Sequence, residues 1–205
     1  MIITLMGMSG TGKSYWSQKM GTVGFKRYGC DDMISERLLK KLNIENKDTF
    51  EMHAWVGFPY EDTHAERAEL YFETEIEVMQ EIVDLLSKTD HKTNIVIDTS
   101  GSAIYTPPSL MEKLGHLSKM IYLAVTPEMI NTMLNKYLQK PVAVLWNGMF
   151  EQREGETISE SFARCYPKLL SSREELYQKY SHQIIGPEIH RSASLTVQSF
   201  IEAIQ

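Results

Sequence analysis

Residues 7–14 read Gly-Met-Ser-Gly-Thr-Gly-Lys-Ser, and no other stretch of the chain restricts its fold as tightly. Gly7, four intervening residues, then Gly12, Lys13 and Ser14 have the spacing of a phosphate-binding loop. Glycines at these positions let backbone N–H groups turn inward onto phosphate oxygens, with Met8, Ser9, Gly10 and Thr11 forming the turn. Lys13 brings a mobile positive charge for the β- and γ-phosphates, and Ser14 a hydroxyl for Mg²⁺. A helix starting near Lys13 directs its positive dipole end at the same anion. The flanks agree. Residues 2–6 are an apolar run suited to a buried parallel strand, and 13–20 contain no helix breaker before Gly21. ATP and Mg²⁺ are the cofactors this motif predicts.

Length and charge narrow the class. A chain of 205 residues, 42% hydrophobic, buries one core and has room for a lid. Against 27 Asp and Glu it carries 21 Lys and Arg, a net charge of −6, which argues against nucleic acid or an anionic membrane as the main partner. Cys30 and Cys165 are too few for a disulfide framework, so a reducing, cytoplasmic compartment is expected. The first strand leaves no room for a signal peptide, and no apolar stretch reaches the length of a membrane span. The expected partner is a small-molecule acceptor, and the expected state a monomer or weak homodimer.

Strand and helix signals alternate. Strands are predicted at 25–28, 94–97, 120–125 and 183–185. Helices are predicted at 33–42, 62–86, from Pro107-Pro108 to Gly115, at 127–139, and from about Leu195. In 62–86 the residues Leu70, Ile76, Met79, Val83 and Leu86 are expected to form the buried face. Residues 43–60 read as irregular, 140–157 as a polar stretch, and the helical stretch beyond it as interrupted at Pro167. This order predicts a three-layer α/β domain with a parallel sheet flanked by helices.

Three groups of residues stand where such sheets place their chemistry. Asp98 ends an apolar strand, the usual place for a carboxylate that holds Mg²⁺ or its water; a turn cap is the plainer reading. Asp31 and Asp32 follow the second strand. One is expected to orient or deprotonate an acceptor hydroxyl, Asp31 being preferred, while the other caps the next helix. The aromatic residues Trp55, Phe58 and Tyr60 either pack a small subdomain, the preferred reading, or stack on a planar acceptor.

The order of these pieces resembles the shikimate kinase family of small P-loop kinases over nearly the whole chain. The resemblance rests on residues 7–14, on Asp31-Asp32, on Ser100-Gly101-Ser102-Ala103-Ile104 in place of a glycine triplet, on Lys140-Pro141-Val142, and on Ser172 to Tyr177. It implies the three-layer P-loop kinase fold in a single domain, 1–205. It also implies an acceptor-binding region at about 43–75, a small lid at about 140–157, and phosphoryl transfer from ATP to an alcohol. Asp31, Asp32, Gly101 and Arg173 are then the implied acceptor-binding residues. Arg173 and Lys140, with Lys136, are implied to offset developing charge, and Arg191 to stack on adenine. Without the family, Arg173 reads either as part of a solvated charged face or as a cation for the acceptor's anionic group or the moving phosphoryl.

Departures from the family pattern are concrete. Asp31 and Asp32 are adjacent, one glycine of the triplet remains, the lid arginine is Lys140, and no basic residue stands near Tyr71-Phe72-Glu73. A guanidinium pair grips a carboxylate bidentately and lysine does not, so shikimate is not the expected acceptor. The alternatives carried forward are a nucleoside or nucleotide kinase and a nucleotide-binding switch without transfer activity.

Overall fold

The computed structural model describes residues 1–90 and 92–205. Its strands are β1 (Ile2–Met6), β2 (Lys26–Gly29), β3 (Ile95–Asp98), β4 (Lys119–Leu123) and β5 (Gln183–Ile185). They pair in parallel in the order β2-β3-β1-β4-β5. The helices are α1 (Lys13–Gly21), α2 (Cys30–Lys41), α3 (Met52–Val56), α4 (His64–Lys88) and α5 (Pro108–Leu117), followed by α6 (Pro127–Gln139), α7 (Ile158–Tyr180), α8 (Pro187–His190) and α9 (Val197–Ala203).

Alternation along the central strands builds two cores. Ile3 and Leu5 of β1 pack with Val96 and Ile121 under α1 and α9, where Trp16 and Phe200 stack at 4.0 Å. The opposite face packs Ile95, Ile97, Met120 and Tyr122 under α2, α4, α5 and α7. Thr4 points to that face, and its hydroxyl bonds the Ser118 hydroxyl at 2.7 Å. Both cysteines are free and buried. Among the described residues no helix is long and apolar enough to cross a membrane.

Several expected boundaries move. α2 begins at Cys30, so Asp31 and Asp32 lie inside its first turn, where carboxylates suit the helix dipole, and neither caps it. Gly115 lies within α5, which runs on to Leu117; a Cβ at Gly115 would meet Met120 Sδ at 3.2 Å. Pro167 does not interrupt α7. The lost hydrogen bond is outweighed by burial of Cys165, Tyr166, Leu169 and Leu170 on either side of it. A capping box of Thr157 and Glu160 fixes where α7 starts. The irregular 43–60 region contains the helix α3 and a short 3-10 turn, Lys47–Thr49. On α4 the buried stripe is Tyr71, Thr74, Glu75, Val78, Met79, Ile82, Val83 and Leu86, with Leu70 and Ile76 at its margin rather than its centre.

Candidate active site

The glycine loop of residues 7–14 joins β1 to α1. Gly7, Gly10 and Gly12 have φ of +147°, +77° and +104°, values that glycine adopts without the strain of a side chain. A Cβ on Gly7 would lie 2.9 Å from the Leu123 carbonyl oxygen, so the loop lies directly against the end of β4. Thr11 Oγ donates to the Met8 carbonyl at 2.9 Å. Lys13 is buried and folds back over the loop, its Nζ donating to the Gly7 carbonyl at 2.7 Å and the Met8 carbonyl at 3.1 Å. Burial lowers the Lys13 pKa, against the opposing fields of Asp98 and Asp31. Ser14 is exposed at the start of α1. Arg191 donates to the Gly10 carbonyl, which places it on the loop itself.

One cleft of about 770 Å³ runs from this loop across the ends of the strands. Ser9, Gly10, Gly12, Lys13, Ser14 and Tyr15 line one end. Asp31, Tyr71, Gly101, Ser102 and Arg173 line it as well, with Glu51 and His53 contributed by the start of α3. Lys136, Lys140 and residues 142–145 add a wall from the end of α6 and the segment after it. Trp146 holds that segment down by stacking on Phe162 at 5.6 Å. A second hollow along α4, of about 910 Å³, is lined by Glu77, Glu81, Asp84, Lys88 and their neighbours and contains no glycine loop.

The adjacent aspartates separate. Asp31 faces the cleft, and its surroundings raise its pKa by desolvation, opposed by Lys13 and His53. Asp32 turns away from it and pairs with Arg27 at 3.0 Å. Arg27 also donates from Nη2 to Asp98 Oδ2 at 3.0 Å and from Nε to Ser17 Oγ at 2.9 Å. Ser17 donates to the same oxygen of Asp98 at 3.1 Å. Asp98 is thus a buried carboxylate held from one side, behind the loop and outside the cleft lining.

Arg173 is not on a solvated face. It is 5% exposed, lines the cleft, and donates from Nη2 to the Leu145 carbonyl at 2.7 Å. Its guanidinium lies 5.5 Å from the Tyr105 ring centroid, and its Nε is buried with no hydrogen-bond partner among the described residues. Gly101 fits between Arg173 and the loop: a Cβ there would lie 3.2 Å from Arg173 Nη1 and 3.9 Å from the Ser9 amide. The aromatic segment packs. Phe58 stacks on Tyr60 and both approach Phe162, while the Arg67 guanidinium lies over Trp55.

Glu75 is the group that sequence reasoning missed. It is fully buried on the apolar stripe of α4 and accepts from the Ser100 and Ser102 hydroxyls on one oxygen, Oε1. Burial pushes its carboxyl up to about 7, against the lowering effect of both serines. The available signal was a glutamate four residues after Tyr71 and four before Met79, in register with the core face.

Between the ordinary glutamate pKa of 4.5 and about 7 the unfolded chain releases the Glu75 proton and the folded chain keeps it. Rising pH through that window therefore removes about 3 kcal/mol of stability, all of it gone above the folded-state pKa. Glu75→Gln cannot ionise. It is expected to gain on the wild type by about 2 kcal/mol at about pH 8, with the gain shrinking towards about pH 5, in denaturant unfolding. A gap that is the same at both pH values contradicts the assigned ionisation.

No protein-family model matches the sequence, and a search of curated proteins gives no match. Solved structures do match. A shikimate kinase from Aquifex aeolicus superposes with a TM-score of 0.59 at 13% identity, over 100% of this chain and 96% of that one. A shikimate kinase from Acinetobacter baumannii in complex with shikimate gives 0.57 at 18%, over 98% and 88%. A dephospho-CoA kinase from Campylobacter jejuni gives 0.55 at 14%, over 100% and 95%. The fold is that of the small, shikimate kinase-like P-loop kinases.

Proposed function

We propose that this chain is a small-molecule kinase that transfers the γ-phosphoryl group of Mg·ATP to a hydroxyl of a small acceptor. The observation that carries the reading is a single cleft lined at once by the glycine loop, Lys13, Asp31 and Arg173. Phosphoryl transfer needs positioning and charge stabilisation more than covalent chemistry, and these residue types supply both. The loop amides and Lys13 hold the phosphates, Lys13 leaving the Gly7 and Met8 carbonyls to do so. Asp31 accepts the hydroxyl proton or its hydrogen bond. Arg173, with Lys136 and Lys140 on the far wall, balances charge on the moving group.

The donor set fits Mg²⁺, which keeps most of its waters and asks for one or two oxygen ligands. Ser14, an exposed hydroxyl lining the cleft, and Asp98, an anchored carboxylate behind it, are the residues that would hold the ion. When bound, it neutralises phosphate charge.

Among the described residues Arg173 is the one arginine lining the cleft, beside Lys13, Lys136 and Lys140, and Asp31 and Glu51 line it too. That composition suits a neutral hydroxyl compound better than a carboxylate such as shikimate. A nucleoside is the second reading, favoured by Tyr71, Tyr137 and Tyr166 in the lining. The deciding experiment is a screen of ADP release from Mg·ATP with separate panels of neutral polyols, nucleosides and hydroxy acids. Stimulation by a polyol supports the first reading and by a nucleoside the second. Nucleotide binding with no stimulation by any panel points to a switch protein.

A further inference from the structure

We infer that Glu75 is a positioning residue for the acceptor end of the cleft: through one carboxyl oxygen it fixes the Ser100-Gly101-Ser102 loop between the phosphate-binding loop and Arg173. The inference rests on the kinase reading for what the loop does, and on hydrogen bonds alone for how the loop is held.

When the Glu75 carboxyl is ionised, the available protons set the direction of its bonds. A serine hydroxyl has one proton to give. Ser100 and Ser102 both give theirs to Glu75 Oε1, the Ser102 bond at 2.7 Å. Ser100 Oγ is then free to accept, and it receives the Ala103 amide at 3.1 Å. The Tyr71 hydroxyl lies 3.5 Å from Ser102 Oγ. At that distance the contact is a long one, and either hydroxyl can be its donor. Tyr71, which lines the cleft, thus stands beside the Ser102 hydroxyl that Glu75 holds.

The middle of the loop is pinned from the other side. Tyr177 donates to the Gly101 carbonyl at 2.7 Å. A Cβ at Gly101 would make a tight contact with Arg173 Nη1 at 3.2 Å and an ordinary one with the Ser9 amide at 3.9 Å, so the loop lies against both. A shift of this loop would therefore disturb Arg173 and the phosphate loop together. The groups whose charge or titration bears on Glu75 are Asp31 and Cys30 on α2, Arg173 and Tyr177 on α7, and Tyr71 on its own helix. None of them is a hydrogen-bond partner of the carboxyl among the described residues, and Oε2 is buried without one. A residue with only a packing role would be served better by an apolar side chain of this size, because a buried carboxyl is expensive. The polar choice is explained by the two hydroxyls it organises.

The test compares Glu75→Met, which fills the space without an acceptor, with Glu75→Gln, which keeps a carbonyl oxygen for both serines. Amide exchange by NMR at Ala103, calorimetry with Mg·ADP, and the ADP-release panels are measured on each. In Glu75→Met the Ala103 amide is expected to lose about tenfold or more in protection, as for one lost buried hydrogen bond, while Mg·ADP affinity changes by less than about twofold. In Glu75→Gln protection stays within about threefold of the wild type. For any panel member that drives ADP release, Glu75→Met raises the acceptor KM about tenfold and Glu75→Gln restores it. Ser102→Ala removes one of the two bonds from the opposite side, leaves Ser100 Oγ in place as the acceptor of the Ala103 amide, and replaces Glu75→Met if that variant does not fold. Unchanged exchange in Glu75→Met, or equal loss in Glu75→Gln, overturns the inference. A silent acceptor panel would count against the kinase reading, and the exchange measurement would still decide the loop.

Discussion

Lys13→Ala is expected to lower turnover of Mg·ATP by about 10³-fold, the range found when a principal charge-stabilising group is removed from a transferring phosphoryl. The structure explains why no neighbour would substitute. Lys13 lies within the loop, its Nζ on the Gly7 and Met8 carbonyls, where the phosphates would be cradled. Lys136 and Lys140 line the same cleft but stand on the far wall and make no such contact. The measurement is ADP release under saturating Mg·ATP, with circular dichroism to show that the variant is folded. Turnover within about tenfold of the wild type would remove Lys13 from the mechanism.

Asp31→Asn is expected to lower transfer by about 10²- to 10⁴-fold, the usual contribution of a positioned proton acceptor. Mg·ADP affinity should hardly change, since the asparagine leaves the phosphate loop untouched. The pH dependence has a definite sign. Transfer needs the carboxylate, so the wild-type rate rises with pH through the Asp31 pKa and then levels. Desolvation raises that pKa, opposed by Lys13 and His53, so the acid limb should fall above the ordinary range for an aspartate. The limb should be absent from Asp31→Asn. Asp32→Asn is the control. That carboxylate is 69% exposed and engaged with Arg27, and its loss is expected to change transfer by less than about threefold. Equal losses at both positions would mean that the first turn of α2, and not Asp31, is what matters.

Lines of different strength in the sequence explain what was legible. The glycine loop was readable because its chemistry is local: positive φ at Gly7, Gly10 and Gly12, and a lysine at the start of a helix, are dictated within eight residues. The parallel sheet was readable because strands buried on both faces leave continuous apolar runs, as in β1, β3 and β4. Helix ends were less so. Gly115 and Pro167 are breakers by propensity, and both lie inside helices whose packing outweighs the local penalty.

The site divided along the same line. Asp31 and Asp32 are equivalent in sequence, and the 100° turn between successive helical residues sends one into the cleft and the other to Arg27. From its neighbours Glu174 and Glu175 alone Arg173 could be a surface charge or a cation of the site, and α7 presents that position to the interior. Glu75 was hidden for the converse reason: it is a charged residue on a stripe otherwise made mostly of apolar side chains.

By itself the chain of residues determined a nucleotide-type loop, a wound parallel sheet and the list of polar groups available to it, because each depends on neighbours a few positions apart. Which of those groups meet was decided only when β1, β3, α2, α4 and α7 packed. Glu75 reaches Ser100 and Ser102 across 25 and 27 residues, Tyr177 reaches Gly101 across 76, and Arg27 reaches Asp98 across 71. Contacts at such separations have no local sequence signature, since they exist only once the entropy of closing those loops has been overcome by burial of the core.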